Sequence, residues 1–482
     1  MLLGINALNH DASVCLVDGN EIKFAAHAER YSRVKNDSYL NNDIITDCLN
    51  YGSIDTILWF EKPIYKALRR IYSWQRPFFQ SPYKYLRSLG LEQPIITVPH
   101  HAAHAAMGYY TSGYEDASIL VIDAIGEWNT VTVWEGIGNK LRKIKSINYP
   151  NSMGLFYSAA THAIGLKPNE EEYILMGMAA YGVSKHTDQL RDLFFSKWDP
   201  PYIHMPHNLH RGMRPWLNFK FNPEDFAASV QALFTEYLAE TVESMASALA
   251  SRNLVLSGGS ALNCVANGLL NEISTYGNIW VPPNPGDSGL ALGAIAYHLQ
   301  QPLNFNHAYL GYDINRDIDP KQVVEGLLQD QIVGVANGRA EWGPRALGNR
   351  SLLADPRGTD IKDRVNQIKK RQKFRPFAPA ILSEHAEKYF EISKNNHNFM
   401  QYAVVCKDPH SYPAIVHVDF SSRVQTVPQD SPSILRKILE CWYKQTGCPM
   451  LLNTSLNIKG EPLVNNWTDA LNFGQRYNVR VY

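Results

Sequence analysis

The sequence offers no disulfide framework: its six cysteines (Cys15, Cys48, Cys264, Cys406, Cys441 and Cys448) are scattered, with no C-x-x-C spacing. Reduced thiols in a cytoplasmic protein are the economical reading. Net charge is missing too. Lys and Arg total 46 and Asp and Glu total 46, so no global field points to nucleic acid or a membrane surface, although local patches are left open. Long apolar runs are also absent. Leu2-Leu3-Gly4-Ile5 is broken at once by Asn6, Asn9, His10 and Asp11, which is no secretory leader, and nothing approaches membrane-spanning length. At 482 residues the chain is too long for one simple core, and two or three domains are expected.

What is present centres on Val98-Pro-His-His-Ala-Ala-His-Ala-Ala-Met-Gly-Tyr-Tyr110. Alanine favours helix and Pro99 suits a helix start, so His100 and His104 are predicted one turn apart on one face. Two such imidazoles are half of a metal site of nitrogen and carboxylate ligands. His101, about 100° further round, is expected outside that shell. Alone, the spacing also fits histidines that face solvent or cap neighbours. Asp123 and Asp287, each in a Gly-rich turn after a β-like run, favour the metal reading.

Along the chain, 2–5 and 13–17 read as strands, with Asp18-Gly19-Asn20 turning into a third over 21–26. The polar loop between the first two is either an ordinary hairpin or a loop offering His10 and backbone N–H groups to a phosphate or reacting hydroxyl. A second strand–acidic turn–strand unit follows at 118–134, which suggests a duplicated fold with a cleft between halves. Ser257-Gly258-Gly259 sits between a strand and a helix start, where glycine lets backbone approach a nucleotide and the helix N-terminus favours an anion. Residues 63 to 90 interleave Lys66, Arg69, Arg70, Arg76, Lys84 and Arg87 with Tyr65, Tyr72, Trp74, Phe78, Phe79, Tyr83 and Tyr85. That mixture suits a nucleic-acid groove. It equally suits a helical pair with aromatics in the core and cations in water.

These strings, together with Asn9-His10-Asp11-Ala12-Ser13, Glu29-Arg30-Tyr31-Ser32-Arg33-Val34-Lys35, Glu341-Trp342-Gly343-Pro344-Arg345-Ala346-Leu347-Gly348-Asn349-Arg350, Phe374-Arg375-Pro376-Phe377 and Asn453-Thr454-Ser455-Leu456-Asn457, run in order along nearly the whole chain. The chain resembles the O-carbamoyltransferases of the nodulation-protein, cephalosporin and tobramycin type. The resemblance implies an α/β protein. Its N-terminal domain (1–305) would be actin/hexokinase-like (ASKHA, Kae1-like), two-lobed and nucleotide- and metal-binding. Its C-terminal domain (306–482) would be a YrdC-like α/β domain. The implied activity makes carbamoyl-adenylate from ATP and carbamoyl phosphate, then carbamoylates a hydroxyl.

By the same resemblance His100, His104, Asp123 and Asp287 hold one metal, Fe2+ in the relatives, with Mg2+ accompanying ATP. Lys35, Asp123, Gly126, Glu127, Gly258 and Gly259 contact the nucleotide. Arg345, Lys369, Arg375, Arg423, Asn453 and Ser455 bind carbamoyl phosphate, the guanidinium forks matching its phosphate. Of these, Arg345 and Lys369 are also catalytic candidates. His10 is the candidate general base, since imidazole near its free pKa suits that work. The chain departs from the pattern at Ile174, where relatives carry Lys, and at Leu456, where they carry Phe, and it is shorter, mostly between Gly182 and Asn222. Those departures leave the acceptor open: a sugar or natural-product hydroxyl, or a hydroxymethylated pyrimidine, even 5-hydroxymethylcytosine in DNA. The basic-aromatic stretch, with His204, His207, His210, Arg211 and Arg214, gives DNA its physical footing. A tRNA threonylcarbamoylation-like transferase and a non-catalytic nucleotide-binding module are the alternatives. The oligomeric state is open and no membrane partner is expected.

Overall fold

The computed structural model describes residues 1–73, 81–392 and 397–482. Trp74, Arg76, Phe78 and Phe79 of the basic-aromatic stretch lie outside them. The chain forms two compact units: Met1–Ile57 with Arg87–Pro94 and Leu303–Tyr482, and Leu58–Leu86 with Ile95–Pro302. Both are mixed α/β, as expected. Among the described residues no helix is long and apolar enough to cross a membrane.

The first unit opens with an antiparallel meander of β1 (Leu2–Asn6), β2 (Ser13–Asp18) and β3 (Glu21–His27). Val, Leu, Ile and Cys fill these strands almost continuously, because both faces of the sheet are covered. Gly19, at φ +59°, makes the turn between β2 and β3. Residues 303–482 add a five-stranded sheet, in the order Ile332–Ala336, Arg350–Ala354, Met450–Ser455, Ala378–Leu382, Gln425–Val427. Its pairs are antiparallel except the last.

Arg350 is the structural centre of that part. Fully buried, its guanidinium donates to the backbone carbonyls of Asn465, Asn337, Gly338, Asn349 and Tyr312. Burial lowers its pKa to about 10. Removing the side chain leaves several carbonyls unpaired at once. Arg350→Ala is therefore expected to lower stability by about 3–5 kcal/mol, read as a shift in the urea midpoint at constant slope. A loss below about 1 kcal/mol would mean water replaces the guanidinium freely.

The second unit repeats the opening layout. Asp116–Gly126, Asn129–Ile137 and Lys140–Asn148 form another antiparallel meander. Asn253–Ser257 then pairs in parallel with Asp116–Gly126, and Asn278–Trp280 in parallel beyond it. The strand–turn–strand unit expected twice in the sequence thus occurs twice. Helix His100–Tyr110, buried at every residue, packs on helix Leu290–Leu299. Alanine and glycine allow that close approach. A Cβ on Gly293 would stand 2.3 Å from the Ala103 carbonyl oxygen.

Candidate functional site

His100 and His104 project from one face of the helix His100–Tyr110, as their spacing predicts. Asp123 sits on the long strand Asp116–Gly126, and Asp287 in a single 3₁₀ turn after Pro282-Pro283-Asn284-Pro285-Gly286. The tertiary fold brings one donor atom from each of these four residues within 4.8 Å of all the others. All four are buried. His100 Nε2 lies 3.1 Å from Asp123 Oδ2 and 3.4 Å from Asp287 Oδ1, and His104 Nε2 lies 3.4 Å from Asp287 Oδ1. Neither ring nitrogen of His104 makes a hydrogen bond.

Two buried carboxylates this close repel unless a positive charge stands between them. Burial alone would keep His100 neutral, but the Asp287 and Asp123 carboxylates outweigh it and hold its pKa well above the ordinary histidine value. Asp123 is held low by that imidazole against both burial and the Asp287 charge. His101 does lie apart. Its Nδ1 faces Thr132 Oγ1 at 2.9 Å, and burial, then the neighbouring His100, pushes its pKa well down.

The glycines around these ligands are there for space. A Cβ on Gly126 would meet the His100 and His101 rings at 2.4 and 2.5 Å. Gly258 has φ +90°, and a Cβ there would lie 2.2 Å from the Ile122 carbonyl oxygen. A Cβ on Gly259 would lie 3.1 Å from Asp123 Oδ1, so the Gly-Gly turn runs directly past that carboxylate. Glu127 is engaged with backbone: its Oε1 accepts the N–H of Lys62 at 2.6 Å and that of His100 at 3.4 Å. In the first unit, Lys35 Nζ pairs with the buried Glu29 carboxylate at 2.7 and 2.9 Å. His10 is half-exposed, with Nδ1 3.0 Å from Asp11 Oδ2.

The remaining candidates converge at one end of the C-terminal sheet, and strand register explains why. Ser351 pairs with Ser455, Ala378 with Asn453 and Ala380 with Gln425. The end of Met450–Ser455 therefore meets the starts of Arg350–Ala354, Ala378–Leu382 and Gln425–Val427. Arg345, Arg375 and Arg423 each stand just before one of those starts. Asn453 Nδ2 donates to the Ala346 carbonyl at 3.2 Å and to Gln425 Oε1 at 2.7 Å. Asn453 Oδ1 and Arg423 Nε are buried without a hydrogen-bond partner.

Lys369 is the most telling member. It is 4% exposed, and its Nζ reaches Ser455 Oγ and Asn457 Oδ1, both at 3.0 Å, and the carbonyls of both residues. All four partners are neutral oxygens. Burial, then the charges of Arg371 and Arg375, depresses its pKa well below that of an ordinary lysine. Cations gathered in this way lack only an anion.

The sequence reading missed Asn457 and Arg371, which act directly on Lys369, although both lie in or beside motifs it quoted. It also missed Glu341. That carboxylate is buried and its Oε1 accepts the N–H groups of Leu347, Asn349 and Arg350 at 2.8, 2.9 and 3.1 Å, which folds the loop carrying Arg345. The basic-aromatic helix Pro63–Tyr72 also differs from expectation. Ile64, Tyr65, Leu68, Ile71 and Tyr72 are exposed, whereas Arg69 is buried and Lys66 pairs with Glu61 at 2.9 Å.

Comparison with known sequences follows the same division. Residues 83–296 match the family model described as carbamoyltransferase N-terminus, and 324–482 that described as carbamoyltransferase C-terminus. Uncharacterized protein sll1178 of Synechocystis sp. is 32% identical, the match covering 97% of this chain and 93% of that protein. Nodulation protein NolNO of Sinorhizobium fredii is 30% identical over 97% of this chain and 77% of its own length. The 3'-hydroxymethylcephem-O-carbamoyltransferase of Amycolatopsis lactamdurans is 29% identical, covering 80% of this chain and 78% of that enzyme.

Proposed function

Because the chain belongs to the carbamoyltransferase family, and is a transferase on that ground, we propose that it works as an ATP-dependent O-carbamoyltransferase in two steps. The observation that carries this reading is Lys369, a buried ammonium among neutral oxygens and arginines, at the sheet end where Arg345, Arg375, Arg423, Asn453 and Ser455 converge. A small dianion such as carbamoyl phosphate supplies what that chamber lacks. In the first step water cleaves the carbamoyl–phosphate ester linkage, releasing phosphate. The carbamate oxygen then attacks the α-phosphorus of ATP, and pyrophosphate leaves. In the second step the acceptor hydroxyl attacks the carbamoyl carbon and AMP departs.

We assign the first step to the YrdC-like part, 306–482, and the second to the Kae1-like part, 1–305. Gly126, Gly258, Gly259, Asp123 and the backbone around Glu127 are the proposed nucleotide contacts, with Lys35. The Glu127 carboxylate acts through the Lys62 and His100 N–H groups it holds. His10, oriented by Asp11, is proposed to take the acceptor proton. His100, His104, Asp123 and Asp287 suit one divalent metal, because His104 has two orphaned ring nitrogens facing two mutually repelling carboxylates. A cation so held supplies Lewis-acid polarisation of phosphate oxygens. Fe2+ is the proposed identity, with Mg2+ on ATP.

The acceptor is a hydroxyl compound, as the cephem-carbamoylating relative's name supports for that enzyme. Sugar, natural-product and hydroxymethylpyrimidine hydroxyls are the candidate classes. The test is mass spectrometry after incubation with ATP, carbamoyl phosphate and a panel of such acceptors, free hydroxymethylcytidine and hydroxymethylcytosine DNA included. One acceptor should gain a carbamoyl unit only when both co-substrates are present. Pyrophosphate release that does not depend on carbamoyl phosphate would overturn the scheme.

A further inference from the structure

We propose that Arg69, Arg70, His210 and Arg211 bind a phosphate carried by the acceptor, so that the hydroxyl compound is a nucleotide-like phosphoester, free or within a strand. The inference rests on reading the second unit as the transfer site.

Arg69 lies on the helix Pro63–Tyr72 and is 8% exposed, while the apolar Ile64, Leu68 and Ile71 of the same helix face outward. Apolar side chains left in water and a cation taken out of it reverse the usual economy of an amphipathic helix. Two guanidinium nitrogens of Arg69, Nε and Nη1, have no hydrogen-bond partner. Desolvated donors of this kind are costly unless something enters to accept from them.

The surroundings are cationic. The Arg69 guanidinium stands 5.8 Å from the Tyr149 ring centroid, and the His210 ring packs edge-on against that tyrosine at 6.4 Å. Burial first, then the charges of Arg69, Arg211 and Arg70, lowers the His210 pKa. The carboxylate that acts favourably on Arg69 is Glu61, and it is already held by Lys66 Nζ at 2.9 Å. Between Glu61 and Glu92 the sequence contains no acid. Three guanidinium groups and an imidazole around a desolvated recess match phosphate oxygens, and Tyr149 offers a ring face beside them.

The recess is also well placed. The N–H of Lys62, just before the helix, donates to Glu127, and Tyr72 in its last turn packs on Trp128 at 5.3 Å. Both ends of the helix are therefore anchored on the turn that follows Asp123. A phosphate bound by Arg69 would hold an attached hydroxyl compound beside the proposed metal ligands. The helix also lies before the residues that the N-terminal family model matches, 83–296, as befits a segment serving this chain's own acceptor.

The test uses full-length Arg345→Ala protein saturated with a nonhydrolysable ATP analogue, so that neither the carbamoyl phosphate chamber nor the nucleotide site competes. It is titrated with inorganic phosphate, a nucleoside 5′-monophosphate, the parent nucleoside, and a single strand of about twelve nucleotides. The phosphorylated probes should bind, and adding Arg69→Gln should weaken them at least about thirtyfold. Arg142→Gln, a surface control, should change nothing. If the Arg69→Gln protein does not fold, Arg211→Gln, at an exposed position, should weaken the same probes about tenfold.

Tighter binding of the strand, falling steeply with salt, assigns the phosphate to a phosphodiester. Equal binding of the monophosphate assigns it to a phosphomonoester. Equal affinity with and without Arg69, or a nucleoside that binds as tightly as its monophosphate, overturns the proposal. Pyrophosphate release by Arg69→Gln in an otherwise wild-type chain should stay at the wild-type rate. Its absence from wild type as well would sink the two-step scheme and leave the binding result standing.

Discussion

Lys369→Met is expected to cut pyrophosphate release from ATP and carbamoyl phosphate by about a hundredfold or more, the scale of losing a preorganised charge at a reacting anion. The ammonium is held at the sheet end by two side-chain oxygens and two carbonyls, so methionine keeps the volume and removes the charge. A second readout comes from pH. Burial and the adjacent arginines depress the folded-state pKa of Lys369, so between that value and the ordinary lysine value near ~10.4 the unfolded chain binds more protons. Stability contributed by this residue must therefore rise with pH across that window, and be lowest where the lysine is charged in both states. Lys369→Met should flatten that slope. Pyrophosphate or carbamoyl phosphate should raise the melting temperature of wild type near neutral pH, where the charge lacks a counterion, more than that of the variant. Retention of pyrophosphate release within about threefold would remove Lys369 from the chemistry.

Asp287→Asn should do the reverse. It removes one carboxylate from a buried set of two imidazoles and two acids, so divalent-metal affinity should fall about a hundredfold. Bound metal is read by elemental analysis of protein purified in parallel with wild type. Carbamoyl transfer should be lost while pyrophosphate release persists, because Lys369 and its partners lie in a different part of the chain. An unchanged metal content would refute the ligand assignment. Loss of pyrophosphate release would mean the two sites have been exchanged.

Much of this was legible before any coordinates. The alanine-rich run with His100 and His104 four apart dictates a helix with both imidazoles on one face, since local spacing sets the facing of a helix. The opening strands and the glycine turn at 258–259 follow from alternation and turn chemistry in the same local way. The helix Pro63–Tyr72 did not: its charged residues read as a wet face, yet Arg69 is buried, because the desolvation of a side chain depends on neighbours such as Tyr149 that are remote in sequence.

Sequence alone determined the residue types, the helical pairing of the histidines and the ordered motifs that mark the family, all of which are properties of short windows. Only the tertiary structure decided that Asp287 reaches His100, that Asn457 and Arg371 join Lys369, and that Lys369 has neutral oxygens for partners. Parallel strand pairing and helix packing bring distant segments together. Whether a charge is then solvated, paired or stranded is a property of the assembled surroundings, which no window of sequence contains.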